Sequence, residues 1–296
     1  MEVKLQEQKH PNKAAELAFD ELIAIDGQKE ILLNSLELFF HKEKIERWRQ
    51  HHHSSGLNFL SHLNNGTSLI ILSGDVGCGK TALAHSIGTP LGKRIDKRIT
   101  VFETPSNIRG AGRVGEISNR ITDAFEQVKS KLTSDQTGIL IIDEADDLAT
   151  DRDQNQAHHE DRAGLNVLLK QIDLIARENV ALAVILITNR LKVLDPAIIR
   201  RATQIIEFGR PDEAARKLVF QHMFNGSDLS EKDYDELVKA STHPKTPYSF
   251  SDLIQKVGRQ SLFSAIQSDQ PFGKDIYLTT IKNTKPSPIL KQDENR

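Results

Sequence analysis

The stretch from Gly74 to Thr81, with the sequence GDVGCGKT, constrains the fold of this chain more than any other segment. It matches the pattern G-x-x-x-x-G-K-[ST], follows the apolar run Leu69 to Leu72 and precedes a helical pattern from Thr81 to Ile87. In a loop of this kind the backbone N–H groups point at phosphate oxygens, and the dipole of the following helix favours a bound anion. The sequence therefore predicts a strand, a phosphate-binding loop and a helix, in that order.

The side chains at the end of this loop predict a nucleotide bound together with Mg²⁺. Lys80 is placed to reach the β- and γ-phosphates, and the hydroxyl of Thr81 is placed to bind the metal. A glycine-rich turn with an incidental lysine is the alternative, and the flanking strand and helix argue against it. The predicted cofactor-binding residues of the loop are Gly74, Val76, Gly77, Cys78, Gly79, Lys80, Thr81 and Ala82.

A second apolar run, Ile139 to Ile142, ends in the acid pair Asp143 and Glu144. Two carboxylates at the end of a buried strand cost free energy unless something there uses their charge. We expect Asp143 to hold Mg²⁺, directly or through water, and Glu144 to polarise the water that attacks the γ-phosphate. A solvated acidic turn is the simpler alternative, because Asp146 and Asp147 follow.

Two more polar positions complete a catalytic set. Asn189 follows the apolar run Val184 to Thr188, where its amide could bind the γ-phosphate or the attacking water. Arg200 and Arg201 end the short helical segment that starts at Leu194, and guanidinium groups stabilise the charge that develops in phosphoryl transfer. Taken alone, an asparagine after a strand is more often a turn residue and an exposed arginine is usually only solvated.

Short runs rich in Ile and Val recur through the middle of the chain and then stop. Because they are continuously apolar, they predict strands buried on both faces, as in a parallel α/β sheet. After Gly209 only helical patterns remain, which predicts a small all-α domain. The predicted strands are Leu69 to Leu72, Thr100 to Glu103, Ile139 to Ile142, Val180 to Thr188 and Gln204 to Phe208, and the predicted late helices are Asp212 to Phe224, Glu231 to Ala240 and Phe250 to Ile266.

These patterns predict four regions along the chain. They are an N-terminal lead-in with helical character (1–24), a large domain (25–209), a helical lid (210–282) and a disordered tail (283–296). A helix is expected from Gln28 to about Gln50, and the run His51-His52-His53 interrupts its pattern. We interpret this run as a linker rather than a metal site, because consecutive residues do not share a helical face and no cysteine or carboxylate cluster accompanies them.

The composition of the chain argues against nucleic-acid binding, a membrane segment and an internal disulfide. Lys and Arg total 39 against 41 for Asp and Glu, so no general basic field collects nucleic acid. The longest apolar run, Val180 to Ile187, is far shorter than the roughly 20 residues that span a bilayer, so no membrane segment is expected. A single cysteine, Cys78, excludes an internal disulfide and predicts a cytoplasmic location.

Together these motifs resemble those of the AAA+ ATPases, in order, from about Ile25 to Ile254. The resemblance implies a parallel-sheet P-loop α/β domain followed by a small all-α lid, with ATP and Mg²⁺ as cofactors. It makes Asn189 the sensor 1 residue and Arg200 or Arg201 the arginine finger that completes the site of a neighbouring subunit. It also implies a homo-oligomeric ring, commonly a hexamer, and contacts from Ile25 and Asp26 to the adenine.

This chain departs from the AAA+ pattern at two places. Ser251 stands where many relatives have the sensor 2 arginine, so that function is absent or lies elsewhere. The loop from Asn107 to Glu116 matches the position of the substrate-gripping pore loop, but Arg113 stands where an aromatic residue is usual. The resemblance implies that the substrate-contacting residues of this loop are Ile108, Arg109, Arg113 and Val114.

Within the AAA+ proteins, Arg201-Ala202 and Val114-Gly115-Glu116 are similar to segments of the pachytene-checkpoint type of remodeler. Bacterial members accompany HORMA-domain proteins in cyclic-oligonucleotide antiphage (CBASS) systems. The resemblance therefore implies an ATP-driven ring that disassembles a complex of a HORMA protein with a CD-NTase nucleotidyltransferase and so restrains antiphage signalling. The alternatives are a DNA-associated AAA+ ATPase, such as a clamp or helicase loader, and a regulatory ATP-binding module without turnover.

Overall fold

The computed structural model describes residues 3–53, 55–60, 67–105, 108, 115–132, 136–147 and 159–289. By its contacts the chain forms two compact units. The first comprises Met1–Phe19, Gly27–Ser73 and Thr81–Glu207, and the second comprises Asp20–Asp26, Gly74–Lys80 and Phe208–Arg296. Each unit therefore combines distant parts of the sequence, and the contiguous domain boundaries expected from the sequence stay predictions.

A six-stranded sheet in the order β1-β3-β4-β5-β2-β6 organises the first unit. Its strands are β1 (Gln6–His10), β2 (Leu69–Gly74), β3 (Arg98–Glu103), β4 (Gln136–Ile142), β5 (Leu182–Thr188) and β6 (Ala202–Phe208). The pairs β3–β4, β4–β5 and β2–β5 are parallel, and β1 is antiparallel to β3. All five predicted strands are present, and the predicted α/β class with a mainly parallel sheet is confirmed.

The register of the central strands brings the functional positions to one edge of the sheet. Ser73 pairs with Thr188 across β2 and β5, and Ile142 pairs with Leu186 across β4 and β5. Because the three strands run in parallel, the residues that follow them emerge side by side. The start of the phosphate-binding loop, the acid pair and Asn189 therefore lie at neighbouring carboxyl ends.

Helices cover this sheet, and its central strands are buried. The helices are α1 (Lys13–Asp20), α2 (Asp26–Phe40), α3 (Lys42–His52), α4 (Lys80–Ser86), α5 (Gly88–Ile95), α6 (Glu116–Lys131), α7 (His159–Arg177) and α8 (Pro196–Arg201). Leu140 and Val184 are fully buried in a cluster that includes Phe125 of α6 and Leu168 of α7. Burial on both faces explains the continuous apolar runs Ile139 to Ile142 of β4 and Leu182 to Ile187 of β5. No helix among the described residues is both long enough and apolar enough to cross a membrane.

The N-terminal region differs from the sequence prediction. Residues expected to be helical form β1, which pairs along β3 from Gln6 opposite Glu103 to His10 opposite Ile99. A polar edge strand carries no apolar alternation, so its pairing partner rather than its own pattern defines it. The helix expected from Gln28 to Gln50 is divided at His41 into α2 and α3, and α3 extends to His52, which corrects the interpretation of the histidine run as a linker alone.

The second unit contains a helical domain with its own core. Its helices are α9 (Glu213–Met223), α10 (Glu231–Ala240), α11 (Arg259–Gln267) and α12 (Lys274–Asn283), and a π-helical segment (Asp252–Gly258) precedes α11. Phe220, Leu253 and Tyr277 are fully buried in this core. The Asp212 carboxylate caps α9 by accepting a hydrogen bond from Ala215 N at 2.8 Å. The three predicted late helices are confirmed, whereas α12 was not separately recognised.

The segment after α12 corrects the prediction of a disordered tail. Thr284 is buried, and its carbonyl accepts a hydrogen bond from the Tyr248 hydroxyl at 2.5 Å. Ser287 Oγ donates to Asp252 Oδ1 at 2.6 Å. Residues 284–289 form no helix or strand, and Pro286 and Pro288 have no N–H to donate, so their carbonyl oxygens are the backbone groups that can bind a neighbouring surface. The remaining tail, 290–296, lies outside the described residues.

Candidate nucleotide-binding and catalytic site

The phosphate-binding loop has a backbone that only glycine accommodates. Gly74, Gly77 and Gly79 have φ angles of 129°, 75° and 96°. A Cβ atom on Gly74 would overlap the backbone of Phe208, and one on Gly77 would lie 2.8 Å from Ser251 Cβ. Glycine is therefore required in this loop both by the positive φ angles and by the lack of space for a side chain at Gly74 and Gly77.

Lys80 is held against the loop that precedes it. Its side chain is buried, with 5% of the residue exposed, and Nζ donates to the carbonyl oxygens of Gly74 and Asp75 at 2.8 Å each. The loop curls around the ammonium group, as expected for a cradle that presents positive charge and N–H donors to an anion. The structure thus fits a bound phosphate chain at this place.

The remaining predicted loop residues divide into buried and exposed positions. Cys78 is 1% exposed, and burial, together with the nearby Asp75 carboxylate, raises the pKa of its thiol to about 11. A thiol of that pKa is not reactive, so its side chain packs rather than reacts. Val76 and Ala82 are exposed.

Ile25 lies beside the loop. It is 5% exposed, and a Cβ atom on Gly79 would lie 3.4 Å from Ile25 Cδ1 and 3.9 Å from Leu22 Cδ2. Both residues belong to the second unit together with the loop. Asp26 is the first residue of α2. The apolar surface next to Gly79 is the kind of surface that a nucleotide base packs against.

The predicted metal ligands are in direct contact. Thr81 Oγ1 donates to Asp143 Oδ2 at 2.9 Å, although the two residues are 62 positions apart in sequence. Hydroxyl and carboxylate oxygens are the ligands that Mg²⁺ prefers. The other carboxylate oxygen of Asp143 accepts from Glu144 N at 2.7 Å, so the acid is fixed on both sides. The pair fits a Mg²⁺ site at Thr81, the residue that follows Lys80 in sequence.

Glu144 has a strained backbone and an exposed side chain. Its φ of 52° places a non-glycine residue in the left-handed region. This conformation costs of order 1–3 kcal/mol and persists where the surroundings impose it, which occurs frequently at active sites. The backbone thus turns at Glu144, directly after β4, and leaves its side chain exposed.

Asn189 is half-buried between two residues that are tied to the acidic turn. Thr188 Oγ1 donates to Asp146 Oδ1 at 3.0 Å, and Arg190 Nε donates to Asp146 Oδ2 at 3.0 Å. Arg190 N also donates to Thr188 Oγ1 at 3.0 Å. Asp146 thereby links the turn after Glu144 to the end of β5. Sequence reasoning treated Asp146 only as part of an acidic turn, and nothing in the sequence alone separates it from Asp147.

The two adjacent arginines have different environments. Arg201 donates from Nε and Nη2 to the two carboxylate oxygens of Asp173, at 2.9 and 3.0 Å, and this hydrogen-bonded pairing raises the pKa of Arg201. Arg200 is exposed, and no described side chain forms a hydrogen bond or an ion pair with it. The guanidinium of Arg201 is therefore paired with a carboxylate of its own subunit. That of Arg200 is exposed and can reach a group outside the described residues.

Of the four residues predicted to contact substrate in the pore loop, the structure describes Ile108. Ile108 is 5% exposed and belongs to the core cluster with Phe102 and Ile117. This corrects its interpretation as a substrate contact, because a side chain packed in the core is not presented to a partner. Arg109, Arg113 and Val114 lie outside the described residues.

Ser251 contributes through its backbone rather than its side chain. Its N–H donates to the carbonyl oxygen of Gly77 at 3.0 Å. The lid segment that lacks a sensor 2 arginine thus contacts the phosphate-binding loop directly. Sequence reasoning did not anticipate this contact, since a backbone N–H carries no sequence signal.

The chain is similar in sequence to known proteins. Residues 70–210 match the family described as ATPase family associated with various cellular activities (AAA). CD-NTase-associated protein 6 of Escherichia coli (strain MS 115-1) is 36% identical over 248 residues, which cover 80% of this chain and 79% of that protein.

Solved structures extend the likeness to nearly the whole chain. A chain of the E. coli MS115-1 HORMA:CdnC:Trip13 complex superposes with a TM-score of 0.89 at 31% identity and covers 97% of both chains. Rhizobiales Trip13 superposes with a TM-score of 0.75 at 27% identity and covers 96% of this chain and 98% of its own. With its phosphate-binding loop, its Thr81–Asp143 pair and these relatives, the chain belongs to the AAA family of ATPases.

Proposed function

We propose that this ATPase binds ATP with Mg²⁺ through Lys80, the loop N–H groups, Thr81 and Asp143. The observation that supports this most directly is the hydrogen bond between Thr81 and Asp143, which joins the loop to the acid pair. The metal, when bound, neutralises charge on the β- and γ-phosphates. Ile25 and Asp26 then lie at the adenine, on the side of the loop marked by Gly79.

In this proposal Glu144 activates the attacking water and Asn189 orients the γ-phosphate or that water. The Asp146 contacts to Thr188 and Arg190 fix the backbone on both sides of Asn189. A general base contributes roughly 10²–10⁴-fold to the rate. Glu144→Gln therefore lowers kcat by orders of magnitude and leaves ATP affinity intact, and near-normal steady-state turnover would refute the assignment.

We propose a homo-hexameric ring in which Arg200 acts as the finger in the site of the neighbouring subunit. Arg201 is paired with Asp173, so its role is to hold α8 in place. Arg200→Ala should reduce turnover without weakening ATP binding, and mixing it with Lys80→Ala subunits should restore part of the activity. Arg201→Ala serves as the matched comparison for Arg200→Ala. We expect it to lower the melting temperature as well as the turnover, because it removes the contact with Asp173. Failure of every mixture to recover activity would contradict a shared site.

The substrate of the ring, in this proposal, is a HORMA-domain protein bound to a CD-NTase. The support is the superposition with the E. coli MS115-1 HORMA:CdnC:Trip13 complex and the 36% identity with a CD-NTase-associated protein. ATP hydrolysis would separate the two partners and so restrain antiphage signalling. We assign the grip on the substrate to Arg109, Arg113 and Val114, and propose a cytoplasmic location in keeping with the free thiol of Cys78.

The experiment mixes the purified ring with a HORMA:CD-NTase complex and follows dissociation by size-exclusion chromatography. Wild-type protein with ATP should release the nucleotidyltransferase, whereas samples without ATP or with Glu144→Gln should not. Val114→Asp should hydrolyse ATP yet fail to dissociate the complex, because the grip rather than the ATPase site is altered. Persistence of the complex in every sample would refute this substrate while leaving the ATPase assignment in place.

A further inference from the structure

Arg210 is a buried arginine at the point where the sheet ends and the lid begins. It follows β6 by two residues, and only 5% of its side chain is exposed. A guanidinium group withdrawn from water costs free energy unless several acceptors surround it. A linker position gives no reason for such burial, so the partners of Arg210 indicate its role.

The guanidinium of Arg210 joins three parts of the second unit. Nε donates to Asp75 Oδ2 in the phosphate-binding loop at 3.1 Å. Nη1 donates to the carbonyl oxygens of Pro247 at 2.5 Å and of Ser287 at 2.9 Å, and Nη2 donates to that of Pro288 at 3.1 Å. All three nitrogens are thus used, and the acceptors come from the loop, the lid and the segment after α12.

The segment 284–289, here called the C-terminal strap, is also fastened to the lid at Asp252, a carboxylate that itself lies 3.9 Å from Arg210 Nη1. Asp252 accepts from Ser287 N at 3.1 Å and from Ser287 Oγ at 2.6 Å. Burial of Asp252 opposes ionisation, but its hydrogen bonds from Ser287 and Ser249 prevail and lower its pKa. Lys256 Nζ also donates to the Lys285 carbonyl at 2.6 Å. The strap is therefore a fixed surface against which Arg210 is placed.

The phosphate-binding loop is held at two points by these contacts. Asp75 is bound through its side chain to Arg210 and through its N–H to the Phe208 carbonyl at 3.1 Å. Further along the loop, the Gly77 carbonyl accepts from Ser251 N at 3.0 Å. Lys80 in turn binds the carbonyl of Asp75. A change at the strap therefore reaches the cradle through Arg210, which binds Asp75, and also through Asp252, which binds Ser287 and follows Ser251 in sequence.

We propose that Arg210 is a positioning residue for the nucleotide, and that the C-terminal strap is its fixed support, so that nucleotide affinity depends on a segment beyond the lid helices. The inference rests on the proposed binding of ATP by the loop. A pre-formed cradle binds an anion without the cost of ordering the loop at that moment. Loss of the Arg210 contacts frees Asp75 and imposes that cost on binding.

A purely structural arginine would stabilise the lid without affecting the nucleotide, and the chain provides a matched example. Arg216 is also buried, at 5% exposure, and its guanidinium donates to the Pro211 carbonyl at 3.2 Å and to Thr242 Oγ1 at 3.0 Å. Both acceptors lie in the lid region. Arg216→Gln therefore reports the effect of removing a buried guanidinium from this unit without touching the loop.

The test measures binding of a fluorescent ADP analogue and steady-state hydrolysis for full-length variants. Arg210→Gln should raise the Kd for the analogue and the KM for ATP by roughly tenfold or more, the loss expected for hydrogen bonds to a charged group, with kcat at saturation within about threefold of wild type. Arg210→Lys, which keeps the charge but not the fork, should give an intermediate Kd. Arg216→Gln should lower the melting temperature and leave Kd and KM unchanged.

The support role of the strap is tested at the side chain of Ser287, which binds Asp252 and leaves the guanidinium of Arg210 itself unchanged. Ser287→Asp places a second carboxylate against Asp252 and should raise Kd, whereas Ser287→Ala, which removes one hydrogen bond, should have a smaller effect. If Arg210→Gln melts below the assay temperature, the two Ser287 variants carry the test. Wild-type Kd in Arg210→Gln or in Ser287→Asp, or an equal rise in Arg216→Gln, would overturn the proposal. A wild-type protein that bound no analogue would instead overturn the proposed function.

Discussion

The contact of Gly77 with the lid predicts a large effect for the smallest possible substitution. Gly77 has a φ of 75°, and an added Cβ would lie 2.8 Å from Ser251 Cβ and 2.9 Å from Ser249 Oγ. Gly115 has the same φ of 75° but has nothing within 4 Å of the corresponding position. The backbone penalty of an L-residue in this region, about 1–2 kcal/mol, is thus common to Gly77→Ala and Gly115→Ala.

The steric overlap is present only at Gly77. Forcing a methyl group into a packed site costs about 1–3 kcal/mol, which corresponds to a roughly 5- to 150-fold change in an equilibrium constant. We expect Gly77→Ala to raise the Kd for ADP, measured by calorimetry, by a factor in this range, because the loop must move away from Ser251. Gly115→Ala should lower the melting temperature and leave that Kd within about twofold. Equal Kd values for the two variants would refute the reasoning.

Three further predictions concern single residues. Asp146→Asn should lower kcat by roughly tenfold or more while sparing ATP affinity, because it weakens the support of Asn189, and an unchanged kcat would contradict this. Cys78 should react with a thiol reagent at pH 8 at least roughly 100-fold more slowly in the folded protein than in urea, and equal rates would exclude its high pKa. Burial lowers the pKa of His10 below its ordinary 6.5. As the pH falls, His10 is therefore protonated at a higher pH in the unfolded chain than in the folded protein. The free energy of unfolding should therefore fall below pH 6.5 by at most about 1.4 kcal/mol per pH unit for this group, and His10→Gln should flatten that slope in urea titrations.

The sequence was sufficient for the parts of the molecule in which burial and chemistry coincide. The runs Ile139 to Ile142 in β4 and Leu182 to Ile187 in β5 are continuously apolar because both faces are covered, and this pattern marks them without any knowledge of their neighbours. A polar residue at the end of such an apolar run is easily recognised in the sequence. Asp143 and Asn189 could be recognised because each interrupts a buried run at the point where a parallel sheet gathers functional residues.

The sequence was insufficient where the backbone of a distant segment supplies the contact. Strand β1 has no apolar alternation of its own and is defined by its antiparallel backbone pairing with β3. The C-terminal strap contains two prolines and few apolar residues, yet carbonyl oxygens of Ser287 and Pro288 satisfy a buried arginine. Ile108 illustrates the opposite error, since its place in a loop concealed a core contact. Main-chain groups are the same in every residue, so no pattern of side chains reveals where they pair.

The difference between Arg200 and Arg201 follows from helix geometry. Successive residues of a helix point about 100° apart, so the two guanidinium groups on α8 cannot both reach one carboxylate on α7. Asp173 binds Arg201 with both oxygens, and this contact fixes how α8 is rotated. Arg200, offset by about 100° from Arg201 on α8, is exposed. The two arginines, which the sequence does not distinguish, therefore differ in the structure: Arg201 is paired with Asp173 and Arg200 is exposed, which is why Arg200 is the one proposed above as the finger.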